Sequence, residues 1–102
     1  MKTYIIIGGS KGIGNSIVKT LVTKSRVINI SRTKPEMDHE NLSHFYCDVL
    51  NDELPDIEQA DGLIYCPGSI NLKPISRLSI DDFKNDFEIN VLGAVKAIQK
   101  YL

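Results

Sequence analysis

The residues with the clearest chemical purpose lie between positions 5 and 18, where the chain reads IIIGGSKGIGNSIV. An apolar run leads into the glycines, and a stretch with helical spacing follows them. A helix that starts this way presents free N–H groups and the positive end of its dipole, which attract phosphate. Gly8 would allow the turn, while Gly12 and Gly14 would let a pyrophosphate approach or let the helix pack on the sheet. The stretch predicts a nucleotide site, and the alternative is a tight connection without a ligand.

Strands must alternate with helices to place this turn. Apolar runs predict four strands, at residues 3–7, 26–30, 42–47 and 62–66. Helical spacing predicts one helix from Ile13 to about Lys24 and a longer one that reaches the end of the chain. Ser79 and Asp82 resemble a capping box at the start of the longer helix. This order of elements favours an α/β fold with a parallel sheet.

Two connections are less regular. Residues 32–41 are polar and contain Pro35, which predicts a loop. Residues 51–60 are predicted to hold one or two helical turns.

Composition limits the partners of this chain. It has 102 residues, 42% of them hydrophobic, and a net charge of −1, as expected for one domain over residues 1–102. This charge provides no attraction for nucleic acid or an anionic membrane surface, and no apolar run could cross a bilayer. Without a signal-like start, and with Cys47 and Cys66 far apart in sequence, we expect a cytoplasmic protein with free thiols.

No metal site is predicted. His39 and His44 lie in or near the polar loop with no carboxylate or thiol at ligand spacing, so we expect surface or hydrogen-bonded histidines. Cys66 follows the fourth strand and would face a ligand cleft, but nothing in the sequence marks it as activated.

The glycine spacing resembles that of one enzyme family. The chain has Gly8-x-x-x-Gly12-Ile13-Gly14, which differs from the common dinucleotide fingerprint Gly-x-Gly-x-x-Gly. It resembles the Gly-x-x-x-Gly-Ile-Gly of the short-chain dehydrogenase/reductase family. In CDV, Asp48 resembles the family's aspartate at the end of the third strand, which contacts adenine.

A second match lies in the long helix. Asn90, three residues before Gly93, resembles the family's catalytic asparagine, which holds a water of the proton relay through its position on this helix. The resemblance covers the whole chain and implies a Rossmann-like parallel sheet of about four strands in the order 3-2-1-4. The cofactor-binding residues that it implies are Gly8, Ser10, Lys11, Gly12, Ile13, Gly14, Ser31, Arg32, Asp48, Val49, Cys66 and Gly68.

The chain also departs from the family pattern. Ile7 replaces a threonine whose hydroxyl often ties the glycine turn to the loop after the fourth strand. That loop reads Tyr65-Cys66-Pro67-Gly68 where the family has Asn-Asn-Ala-Gly, so only the glycine matches. The link between the second and third strands is short, where many members have a full helix.

The residues after the second strand predict the cofactor. An acidic residue there would bind the ribose 2′-hydroxyl of NAD, but the strand is followed by Ser31 and Arg32, and the first acid is Glu36. A guanidinium binds a 2′-phosphate, and Lys11 matches a basic position of NADP-preferring relatives, with Lys34 as a further charge. We therefore expect NADP, with NAD as the alternative. The other interpretation is that these cations are ordinary solvated side chains.

The resemblance implies hydride transfer between NADP(H) and a small-molecule carbonyl or alcohol. The family's catalytic serine and Tyr-x-x-x-Lys are absent, and of the catalytic set only Asn90 is present. We therefore expect the amino-terminal, cofactor-binding half of a reductase, truncated by design, proteolysis or a disrupted reading frame, and inactive alone. The resemblance also implies a homo-oligomer through the helix over 80–102. A non-catalytic nucleotide-binding or interaction module is the alternative function.

Overall fold

The computed structural model describes all 102 residues, and its centre is one parallel sheet. The strands are β1 (Thr3–Ile7), β2 (Arg26–Ser31), β3 (Leu42–Tyr46) and β4 (Gly62–Tyr65). They are hydrogen-bonded in the order β3-β2-β1-β4. The helices are α1 (Gly12–Leu21), α2 (Ile80–Phe87) and α3 (Gly93–Tyr101). The predicted fold class and strand order are confirmed, and each strand agrees with its predicted bounds to within one residue.

Alternation along the central strands builds a core on each face of the sheet. Successive side chains of a strand point to opposite faces, so Ile5 and Ile7 lie on one side of β1 and Ile6 on the other. The first side packs with Ala97 of α3, and the second packs with Val18 of α1. Both sides of β1 are therefore covered, which explains its uninterrupted apolar run.

Residues 51–60 contain no helix, so the prediction of one or two helical turns there was wrong. Leu54 lies in the core cluster on the α3 side. The Tyr101 hydroxyl donates a 2.7 Å hydrogen bond to the carbonyl of Pro55, and Pro55 has no N–H for a helical bond. Because side chains of α3 bind this backbone, the segment runs along that helix instead of coiling.

The long carboxyl-terminal helix is not continuous. The predicted capping box is present, since the Ser79 hydroxyl accepts from the Asp82 N–H and the Asp82 carboxylate accepts from the Ser79 N–H. Between α2 and α3, however, residues Glu88–Leu92 form a π-helical turn. A turn of this kind inserts one extra residue and is often found at functional sites.

The link between β2 and β3 is a loop, as predicted, with no helix over residues 32–41. One face of β3 is therefore covered only by this loop, which leaves a cavity of about 700 Å³ lined in part by His44 and Tyr46. The other predicted helix, α1, ends at Leu21, three residues before the predicted end. No helix of the chain is both long enough and apolar enough to span a membrane.

Candidate functional site

The glycine turn between β1 and α1 has the geometry that its sequence requires. Gly8 has a φ of +82° and Gly12 a φ of +59°, a region that side chains disfavour. The Gly8 N–H donates a 2.9 Å hydrogen bond to the carbonyl of Ile30, which joins the turn to β2. A Cβ on Gly14 would overlap the carbonyl oxygen of Gly8, so α1 packs directly on the turn. A Cβ on Gly12 would meet nothing within 4 Å, so the space outside the turn is open.

The start of α1 favours an anion. Lys11 occupies the N-cap position without a side-chain hydrogen bond to the helix, and the first turn contains no acidic residue. The free N–H groups at this end therefore face solvent or a ligand, and the helix dipole adds positive potential. Ile13, in the first turn, is 78% exposed, as several other apolar side chains of this chain are.

A buried asparagine supports the turn from behind. Asn29 lies in the middle of β2, is fully buried, and accepts a 2.8 Å hydrogen bond from the Gly9 N–H. Its amide nitrogen donates to the hydroxyl of Ser31 at 2.9 Å and lies 3.0 Å from Nδ1 of His44. Sequence analysis missed this role. The available signal was an amide within an apolar strand, because a buried amide needs hydrogen-bond partners.

The loop after β2 closes onto the glycine turn. The Ser31 hydroxyl donates to the carbonyl of Thr33 at 2.5 Å, and the Thr33 hydroxyl donates to the hydroxyl of Ser10 at 2.8 Å. Beside these residues is a cavity of about 480 Å³. Three lysines line it, two of them expected from the sequence and one, Lys19, not expected: Lys11, Lys19 and Lys34.

Arg32 and Asp48 come together at the carboxyl ends of β2 and β3. The pKa of Asp48 is lowered, chiefly by a hydrogen bond from the Asn51 side chain and another from the Leu50 N–H, and further by the charge of Arg32. Val49, the next residue, is buried in the core cluster on the α3 side, so its side chain is not available to a ligand.

At the end of β4, an apolar contact stands where the family pattern has polar residues. A Cβ on Gly8 would lie 3.1 Å from the ring of Pro67, so this ring packs against the turn. The Cys66 N–H donates to the carbonyl of Ile7 at 2.9 Å, and burial raises the pKa of the Cys66 thiol. Pro67 thus holds the two loops together without the missing threonine hydroxyl.

Asn90 lies in the π-helical turn and is bound to the loop after β4. Its side-chain oxygen accepts from the Ser69 N–H at 2.9 Å, and its amide nitrogen donates to the Ser69 carbonyl at 2.9 Å. A Cβ on Gly68 would lie 3.3 Å from this oxygen, so the loop packs closely against Asn90 at Gly68. The two hydrogen bonds fix the Asn90 side chain and tie the π-helical turn to the loop after β4.

A tyrosine on β4 stabilises this turn. The Gly93 N–H bonds to the carbonyl of Glu88, five residues back, instead of to the carbonyl of Ile89. The Tyr65 hydroxyl donates a 2.5 Å hydrogen bond to that Ile89 carbonyl. A Cβ on Gly93 would overlap the Tyr65 hydroxyl, so the glycine makes room for it. Tyr65 therefore connects the sheet to the turn that carries Asn90.

This arrangement agrees with comparisons to known proteins, although no family model matches the chain. Benzil reductase ((S)-benzoin forming) of Bacillus subtilis is 26% identical over an alignment 116 positions long, which covers 99% of this chain and 48% of the reductase. A short chain dehydrogenase family protein of Francisella tularensis has a TM-score of 0.81 and 25% identity over 98% of this chain and 45% of its own. The chain is therefore similar in sequence and fold to proteins of the short-chain dehydrogenase/reductase family.

Two further solved structures of the same fold contain cofactors. A short chain dehydrogenase of Leptospira borgpetersenii with bound NAD+ has a TM-score of 0.80 and 23% identity over 97% of this chain and 44% of its own. A variant of ElxO with NADPH bound has the same TM-score and identity, over 98% of this chain and 49% of its own. The chain spans about half the length of each of these relatives.

The described side chains offer no metal site or disulfide. No group of three or more His, Cys, Asp or Glu side chains is arranged to hold a metal ion. Cys47 and Cys66 are both free, and Cys47 is buried.

We predict that Tyr65→Phe destabilises the chain by about 1–2 kcal/mol, because the Ile89 carbonyl loses its hydroxyl donor while the ring is kept. Urea denaturation measures the change, and the NMR signals of the Asn90 side-chain amide should shift as the turn relaxes. The control is Tyr46→Phe, at a side chain that is 75% exposed. Equal stability of the two variants would contradict the assigned role of Tyr65.

Proposed function

We propose that this chain is the NADP(H)-binding part of a short-chain dehydrogenase/reductase. The complete protein would transfer hydride between NADP(H) and a carbonyl or alcohol substrate. The observation that carries the proposal is the open glycine turn at the start of α1, next to a cavity lined by three lysines. The diphosphate of a dinucleotide would fit the glycine turn. The extra phosphate of NADP would be attracted by the positive charge of the lysines.

In the proposed binding mode, the pyrophosphate lies over Gly8 to Gly14 and the adenosine end lies between Arg32 and Asp48. The 2′-phosphate would be near Arg32, with Lys11 and Lys34 adding positive charge from the cavity. Two features support NADP over NAD: the arginine directly after β2, and the absence of an acidic residue before Glu36. When bound, the cofactor supplies the hydride, and these residues hold and orient it.

The residues of this chain provide groups for binding the cofactor but only part of the groups needed for catalysis. A carbonyl reduction also needs a proton donor tuned toward neutral pH. None of the four tyrosines is followed by a lysine four residues later, and Asn90 is the only member of the family's catalytic set that is present. We therefore assign Asn90 to the relay site of the complete protein and leave the proton donor outside residues 1–102.

We predict that Arg32→Ala weakens NADP+ binding by about 1–3 kcal/mol, the scale of a hydrogen bond to a charged group. NAD+ binding should change little, because NAD+ has no 2′-phosphate. Isothermal titration of both cofactors measures the difference. Arg26→Ala is a matched control. Arg26 is also exposed, but it lies at the amino end of β2, away from the proposed cofactor site. Equal losses for the two cofactors, or tighter binding of NAD+ by the unchanged chain, would refute the NADP assignment.

We predict no detectable NADPH-dependent reduction of ketones or aldehydes by residues 1–102 alone. A polypeptide that adds the other half of the fold should reduce at least one carbonyl of a panel. Oxidation of NADPH, followed by absorbance, measures both. Turnover by the purified chain that disappears in Asn90→Ala would contradict this prediction. Dinucleotide binding without turnover in the longer polypeptide would favour a non-catalytic nucleotide-binding or interaction module.

We also propose that two copies associate through α2 and α3. Five apolar side chains spaced three or four residues apart along α2, the π-helical turn and α3 are between 41% and 54% exposed: Phe83, Phe87, Val91, Val95 and Ile98. The buried residues of α3, Gly93 and Ala97, lie on the opposite side. Burial of the exposed apolar side chains against a second copy is the expected driving force.

For this association, we predict a concentration-dependent mass in sedimentation equilibrium over the micromolar range. Val95→Asp should shift the equilibrium toward monomer, because a carboxylate would be buried without a partner. Tyr46→Asp should leave it unchanged, since Tyr46 lies on β3, the strand farthest from β4. A monomer mass at every concentration would refute the proposal.

We further propose a cytoplasmic location. The support is the pair of free cysteines, because secreted proteins of this size more often join such residues in a disulfide.

A further inference from the structure

His44 lies directly opposite Asn29 in the β2–β3 ladder, so both side chains are on the same face of the sheet. The amide nitrogen of Asn29 is 3.0 Å from Nδ1 of His44. Nε2 of His44 is buried and has no hydrogen-bond partner. The side-chain oxygen of Asn29 accepts a hydrogen bond from the Gly9 N–H. A series of hydrogen bonds through Asn29 therefore connects the imidazole to the glycine turn.

The donor and the acceptor of each hydrogen bond in this series are determined by the chemistry of the groups. The Asn29 oxygen must accept, because the Gly9 N–H can only donate. The Asn29 amide nitrogen therefore faces Ser31 and His44 as a donor, and Nδ1 of His44 must accept. This requires a neutral imidazole with its proton on Nε2. A protonated imidazole would place two donors against each other, and Asn29 could not rotate to relieve this without losing Gly9.

The surroundings of His44 also oppose a positive charge. Burial, first, and the charge of Lys34, second, lower the pKa of His44 below its ordinary value of 6.5. The loop that faces it contributes four charged or titratable groups to the shared cavity: Lys34, Asp38, His39 and Glu40. Lys34 is paired with Asp38 at 3.4 Å. On β3 the Tyr46 ring lies edge-on at 5.2 Å, and β2 presents only the neutral Asn29 and Ser31.

We propose that His44 is a positioning residue for the cofactor-binding turn: as a neutral imidazole it holds Asn29, which in turn holds Gly9. The inference rests on the proposed function for its effect on the dinucleotide. Protonation of His44 breaks the chain of hydrogen bonds, loosens the turn and weakens dinucleotide binding. The missing helix between β2 and β3 makes this feasible, because it leaves His44 beside a cavity that solvent can enter.

The direction of the pH effect follows from the lowered pKa. Above pH 6.5, His44 is neutral in both the folded and the unfolded chain, so its stabilising contribution is fully present. As the pH falls below 6.5 and through the lower folded-state pKa, this contribution is lost. The loss should be concentrated at Gly9 and leave the β2–β3 ladder intact.

The test uses the 102-residue chain and two readouts between pH 8 and pH 5. The first is the hydrogen-exchange protection of the Gly9 amide, corrected for the intrinsic rate, with the Val27 amide as an internal reference. Val27 donates a 2.8 Å bond to the Asn41 carbonyl and reports on the strand itself. The second readout is the affinity for NADP+, which is stable in acid.

Three variants separate the possible causes. His44→Asn places a non-titrating acceptor close to the position of Nδ1, His44→Phe removes the acceptor, and His39→Gln removes the other histidine of the chain. In the unchanged chain and in His39→Gln, Gly9 protection should fall about tenfold on acidification, the scale of one lost hydrogen bond. In His44→Asn it should stay constant, and in His44→Phe it should be low at every pH. Val27 protection should not follow this pattern.

The NADP+ affinity should follow the same pattern once variants are compared at equal pH. The 2′-phosphate titrates near pH 6 as well, but it does so equally with every variant, so only the difference between the unchanged chain and His44→Asn is assigned to His44. Gly9 protection that still falls with pH in His44→Asn overturns the proposal. A pH-dependent Gly9 without NADP+ binding at any pH supports the hydrogen-bonded chain and refutes the proposed function.

Discussion

The close packing of α1 on the turn that precedes it is the constraint on which this structure depends. With no side chain on Gly14, the helix backbone comes into contact with the carbonyl of Gly8. This contact brings Val18 over β1 and forms the smaller of the two core clusters. It also leaves the first N–H groups of α1 at the carboxyl edge of the sheet, where the loops after β2, β3 and β4 meet. The same close approach thus builds the core and opens the candidate site.

Irregular backbone near the site is stabilised by side chains from the neighbouring strands. The glycine turn leaves the Gly9 N–H without a helical or ladder partner, and Asn29 of β2 accepts from it. The π-helical turn leaves the Ile89 carbonyl without its usual donor, and Tyr65 of β4 supplies one. A buried backbone group without a partner is costly, so each departure from regular structure is matched by one polar residue inside an otherwise apolar strand. Both residues therefore support, from within the sheet, backbone at the edge where a dinucleotide is proposed to bind.

Much of this organisation could be predicted from local patterns. The four strands, the capping box at Ser79 and the roles of Gly8 and Gly14 depend on residues close together in sequence, and all agree with the structure. The helical turns expected over residues 51–60 did not form, because Leu54 and the Pro55 carbonyl are bound by elements far along the chain. The break between α2 and α3 was missed for the same reason: its partner, Tyr65, comes from β4. Local periodicity has no information about such contacts.

The sequence by itself determined where the four strands lie and that a phosphate-attracting turn follows β1, because glycine spacing and apolar runs act over a few residues. The strand order 3-2-1-4 was implied by the resemblance to short-chain dehydrogenases/reductases and is the order in the structure. Only the tertiary structure decided which side chains serve that turn. Asn29 and His44 become partners because β2 and β3 are parallel neighbours in a specific register, and the lysines share one cavity because α1 and the loop after β2 converge. Register and convergence depend on the packing of the whole sheet, and no short segment encodes them.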